Sequence, residues 1–149
     1  MLQRVQTLFL LAVLVLSVLL LFLPFQEINS DKDKFLLCLM PGCLNELVNS
    51  LIYFPIVINI FIIILSLVCI FLFKRRLMQI KISTGLALLS ILLFGSLFAF
   101  NFLREGETIF NFQFKPAAFL PLVNAALAII AGRLIKNDDN LVKSADRIR

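Results

Sequence analysis

LIYFPIVINIFIIILSLVCIFLF, residues 51–73, carries no charge, and its strongest polar interruptions are Asn59 and Ser66. A hydrocarbon core of about 30 Å is crossed by about 20 residues of helix, so this stretch is long enough to span a bilayer. Residues 7–25, 82–103 and 117–135 read the same way, and Arg133, near the end of the last, is the one charge among them. Lipid offers no partners to a bare backbone, which leaves helices or the strands of a closed barrel. Barrel strands alternate apolar with polar residues, and these segments do not. The sequence therefore predicts an all-α membrane protein, an antiparallel four-helix transmembrane bundle forming a single domain.

Composition excludes the soluble version of the same bundle. In 149 residues, 61% are hydrophobic and 15% charged, and the mean hydropathy is +1.03. That leaves too little polar surface to dissolve four helices in water. Arg4 followed by an apolar run has the outline of a signal peptide, but the run continues to Phe25 with no small-residue cleavage site after it. A signal peptide's apolar region is shorter, about 7–15 residues, so the first span is expected to stay as an anchor.

Short segments rich in Lys and Arg are retained on the cytoplasmic side. With four spans, Arg4, Lys74, Arg75, Arg76, Lys81, Arg133, Lys136, Lys143, Arg147 and Arg149 fall on one side, and Lys32, Lys34, Arg104 and Lys115 on the other. Both termini are thus expected in the cytoplasm. The net charge of +5 does not point to nucleic acid. Its basic groups form short patches beside spans, where anionic headgroups are the default counter-charge, and no aromatic residues interleave with them. The lipid bilayer is the first partner, and no nucleic acid is expected.

Outside the spans, residues 26–50 hold a charged stretch, then the apolar run 35–40 and a Pro41–Gly42 turn. This piece is too short to span and too apolar to float, so it is expected to cap the bundle's outer end. Residues 74–81 form a tight cytoplasmic hairpin. Residues 109–114 alternate loosely, with Phe110, Phe112 and Phe114, and are read as an interfacial anchor. The other reading is a strand paired with residues 35–39, the two loops together making a small lid.

Cys69 lies in the second span and reads as a small packing residue. Cys38 and Cys43 flank the Pro41–Gly42 turn, a separation that suits a disulfide in an oxidising compartment and equally suits two buried thiols. No metal or cofactor is expected there. The chain has no His, and two thiols do not complete a tetrahedral site. The lack of His also removes the commonest general base, and no phosphate loop, nucleophile elbow or zinc-helix pattern occurs, so no catalytic residue is assigned and the chain reads as a non-enzyme.

Coupled carriers place ionisable groups near the midplane. Here the spans offer neutral groups only, Asn59 and Asn124 foremost, and both read as interhelical hydrogen-bonding residues. Gly85, Gly95, Ser96, Ala87 and Ala99 on the third span and the alanines of the fourth predict close approach of those two helices.

After residue 135 the chain becomes a mixed-charge tail, residues 136–149, whose Leu141, Val142, Ala145 and Ile148 continue from Leu134 as one apolar stripe. The expected form is an amphipathic helix along the cytoplasmic membrane face, with docking to a membrane-protein or cytoplasmic partner as its further use. Gln3, Arg4, Asp139, Lys143, Asp146, Arg147 and Arg149 are the candidate partner-contact residues.

The two ends, residues 1–7 and 133–149, resemble the terminal signatures of an uncharacterised family of small four-helix inner-membrane proteins from Bacteroidota. The resemblance implies an inner-membrane location and four spans, and carries no activity. Together with the neutral spans and the tail, it leads to the expectation of a non-enzymatic accessory or scaffold subunit of a bacterial inner-membrane complex. The alternative is a small-solute transporter or channel component.

Overall fold

The computed structural model describes residues 2–29, 34–40, 53–72, 75–102 and 111–146. Four helices form a bundle: α1 (Leu2–Phe22), α2 (Tyr53–Phe71), α3 (Arg76–Phe102) and α4 (Leu120–Asp146). All four are long and apolar enough to cross a membrane. Each contacts its sequence neighbours, and α1 also packs on α4, so the ring closes.

Local chemistry sets the ends. α1 stops at Phe22, short of the expected residue 25, because Pro24 cannot continue a helix. Pro55 and Pro121 sit in the first turns of α2 and α4, where a missing N–H leaves no gap in the ladder. α3 starts at Arg76 rather than residue 82. α4 runs unbroken through residue 135 to Asp146.

Burial repeats at spacings of three and four in every helix. In α1 the buried positions are Gln6, Leu10, Val13, Ser17 and Leu20; in α3 they are Gln79, Ser83, Leu86, Ser90, Leu93 and Leu97, with Ala87 beside Leu86. Asn59, Ile62, Ser66 and Cys69 in α2 and Asn124, Ala128, Ala131 and Ile135 in α4 continue the pattern. This is the seam spacing of a helix bundle. Its surface differs from that of a protein in water: amides, hydroxyls and alanines share the interior with leucines and isoleucines, while Leu8, Val15, Phe61, Leu88 and Ile129 face outward. Such a surface is stable against lipid, which solvates leucine as well as a protein core does.

One end carries a feature that the helix pattern did not reveal. Strands β1 (Gln26–Asn29), β2 (Lys34–Leu37) and β3 (Asn111–Phe114) form a three-stranded antiparallel sheet in the order β2-β1-β3. The interfacial-anchor reading of residues 109–114 is thereby corrected. Residues 111–114 are a strand, and their partner is β1 rather than residues 35–39, which supply β2. Sheet hydrogen bonding extends past the strand ends, with Phe25 N–H donating to Leu37 O at 2.9 Å and Lys115 N–H to Phe25 O at 3.0 Å. Gln26 and Leu37 are buried beneath the sheet, whereas Leu36 and Gln113 point away, the alternation expected of a strand covering a core. Phe114 stacks on Phe98 of α3 at 4.3 Å between ring centroids, and Phe119 from the 3-10 turn Pro116–Phe119 joins the cluster. Lys115 and Glu27 form an ion pair on the cap. Leu37 and Leu39 belong to the bundle core, so residues 34–40 do cap it.

Candidate functional site

Every polar group in a bilayer-facing bundle needs a partner inside the protein, and the strongest concentration of them lies near the sheet end. Ser17 is five residues from the end of α1, Asn59 six from the start of α2 and Asn124 four from the start of α4. All three are fully buried. Asn59 Nδ2 donates to the Ser17 carbonyl at 3.0 Å, and Asn124 Nδ2 to Ser17 Oγ at 2.9 Å. Ser17 Oγ in turn donates to Val13 O at 2.8 Å. One serine thus receives two amides from two other helices. The reading of Asn59 and Asn124 as interhelical residues matches this geometry; their common acceptor was not foreseen.

These bonds also fix how each amide is turned. Ser17 O is an acceptor only, so Asn59 must present nitrogen to it. The Ser17 hydroxyl proton is committed to Val13, so Oγ accepts from Asn124 and the nitrogen faces it there too. Both Oδ1 atoms then point elsewhere, buried and without a hydrogen-bond partner among the described residues.

A second set of polar contacts secures the opposite end. Gln6 Nε2 donates to Leu134 O at 3.2 Å, tying α1 to α4. Gln79 Nε2 donates to Cys69 O at 3.2 Å, while Cys69 Sγ contacts Gln79 O at 3.7 Å, tying α2 to α3. Between the two ends, Ser83 Oγ donates to Ala128 O at 2.6 Å. There α3 and α4 approach so closely that a Cβ built on Gly132 would stand 3.2 Å from Ser83 Oγ. Gly85 and Gly95 have open space around them, so the predicted close approach of α3 and α4 runs through Gly132 instead. Gln6, Gln79, Ser83 and Gly132 were all missed from sequence, although the three-four spacing that joins Gln79 to Ser83, Leu86 and Ser90 could have found two of them.

The far end of α4 has its own geometry. Gln6 meets Leu134, and Arg76, the first residue of α3, has Nη1 at 3.4 Å from Asp138 Oδ2, an ion pair by distance without hydrogen-bond alignment. α1 and α3 therefore begin level with residues 134–138 of α4, which continues to Asp146, about 12 Å further at 1.5 Å per residue. On this projection Leu141 and Val142 are 59% and 42% exposed, and Asp139 is half-buried at its base.

The remaining predicted contact residues divide. Gln3 and Arg4 lie on the first turn of α1 and Lys143 and Asp146 on the last turns of α4, while Arg147 and Arg149 lie outside the described residues. Cys38 is buried and disulfide-bonded, Cys69 is a free buried thiol, and Cys43 lies outside the described residues. No group of three His, Cys, Asp or Glu side chains that could hold a metal stands together among the described residues.

Comparison with known families gives one match. A family described as "Domain of unknown function (DUF4293)" covers residues 2–148. The chain belongs to the DUF4293 family. No curated protein and no solved structure matches it. Membership of DUF4293 spans all four helices and the three strands together, so the bundle and its cap form one family unit.

Proposed function

We propose that the chain is a non-enzymatic accessory or scaffold subunit of a bacterial inner-membrane complex, an antiparallel up-down bundle with both termini in the cytoplasm. The orientation rests on the excess of Lys and Arg at the α2–α3 turn and the α4 end, and the bacterial inner membrane on the resemblance of residues 1–7 and 133–149. The observation that carries the role is the projecting end of α4. It holds exposed Leu141 and Val142 beside Lys136, Asp138 and Asp139, a mixed polar and apolar surface suited to a protein partner. A polybasic lipid anchor would carry Lys and Arg without the acidic residues interleaved here. The test is deletion of residues 140–149 followed by purification in mild detergent. The bundle should remain inserted and a stoichiometric partner should be lost; retention of every partner at wild-type ratio would overturn the role of α4.

A second reading, a small-solute transporter or channel component, is favoured by the unpartnered Asn59 Oδ1 and Asn124 Oδ1 inside the bundle. Solute or ion flux through the purified protein in liposomes, abolished by Asn59→Leu, would replace the scaffold role with this one.

A further inference from the structure

The two asparagine oxygens ask for a donor that the described side chains do not supply. Both are acceptors, both are buried, and both belong to amides whose nitrogens are held by Ser17, so neither can turn its oxygen toward Ser17 without losing an existing bond. Because Asn59 and Asn124 converge on one residue from α2 and α4, their amide groups lie in the same layer of the bundle. From the positions of the three residues in their helices, that layer is about 6–9 Å below the sheet end.

We infer that this layer is a binding site for one water molecule, which donates one O–H to Asn59 Oδ1 and the other to Asn124 Oδ1. The match is one of number and kind. Water carries two donors and the site has two vacant acceptors; buried waters in proteins are held by two to four such polar partners. A desolvated monovalent cation is held by rings of carbonyl oxygens that replace its hydration shell, and two amide oxygens are too few. An apolar guest would leave both oxygens unsatisfied. With the water in place, α1, α2 and α4 are joined by a continuous chain from Asn59 through Ser17 to Asn124 and back through the water. The inference concerns the bundle interior and is independent of what the end of α4 binds.

The test uses the full chain, 15N-labelled, in lipid nanodiscs, and reads magnetisation transfer from water to the Nδ2 hydrogens of Asn59 and Asn124. The expected result is transfer with the sign of a long-lived bound water at both amides. Asn59→Leu should abolish it at Asn124, and Asn124→Leu should abolish it at Asn59. Absence of transfer at both resolved amides overturns the site. Transfer that persists at each amide after loss of the other overturns the shared water. Replacing choline chloride by sodium, potassium or ammonium chloride should leave both resonances in place, and a saturable shift would mean an ion site instead. The wild-type spectrum alone decides occupancy, so the test stands even where a leucine variant does not insert.

Discussion

Asn124 donates to the hydroxyl of Ser17 across 107 positions of sequence, while Asn59 holds the carbonyl of the same residue. The two amides therefore differ in what they need from Ser17. Asn124 depends on its side chain, and Asn59 only on its backbone.

Ser17→Ala should accordingly break one interhelical bond and spare the other. The expected loss is about 0.6–2 kcal/mol, the range for interhelical hydrogen bonds in membranes. A double-mutant cycle read by thermal unfolding in detergent should show coupling between Ser17→Ala and Asn124→Leu. It should show near-additivity between Ser17→Ala and Asn59→Leu. Equal coupling of both pairs would contradict the assigned bonds.

Gly132→Ala tests the closest approach of α3 and α4. Its new methyl would meet Ser83 Oγ at 3.2 Å, and that oxygen is held in place by its 2.6 Å bond to Ala128 O. Overpacking of this kind costs about 1–3 kcal/mol. Adding Ser83→Ala should recover part of the loss, because the remaining Ser83 Cβ lies at an ordinary 3.5 Å. The same substitution at Gly95, which has open space around it, should be close to neutral.

Sidedness can be read by single cysteines placed in a cysteine-free background. Positions 75 and 140 should react with an impermeant maleimide only from the cytoplasm, and positions 36 and 113, both on the outward face of the sheet, only from the opposite side. Reaction of 36 and 140 from one side would reject four spans.

Cys38 is disulfide-bonded and Cys69 is a free thiol, and the spacing of Cys38 and Cys43 suits a pair. Peptide mapping without reductant should recover Cys38 joined to Cys43. Reduction should speed amide exchange in β1 and β2 while leaving the midportions of α1 and α4 protected, because the cap and the bundle bury separate sets of hydrogen bonds.

Lone polar residues in long apolar runs were easy to read as contacts, and Asn59 and Asn124 stood out for that reason. Gln6 and Gln79 did not, because each lies among the polar and basic residues that mark a span's edge, where burial is not the default. The same edges misled on helix length. Arg76 and residues 136–146 are helical because the backbone hydrogen-bond ladder continues past the ends of the apolar runs, so an apolar run is a lower bound on the helix that contains it. β3 was hidden for a different reason. Its alternation is visible, but its partner β1 lies two helices earlier, and nothing local in Asn111–Phe114 names Gln26–Asn29. Single-residue spacing likewise could not show that Gly132 of α4, and not Gly85 of α3, marks the close approach of the two helices.

The pairing of β1 with β3 has a consequence for biosynthesis. β1 leaves the ribosome before α2 and α3, and β3 only after both, so the cap is a long-range contact that cannot close until the third helix is made. Closure then becomes a report that three helices have entered in the right order. Released chains truncated just before Asn111 should insert their helices yet leave residues 26–29 open to protease, whereas released chains extended through residue 146 should become resistant. Resistance already present in the shorter chain would mean that the β1–β2 hairpin closes by itself and that assembly has no such checkpoint.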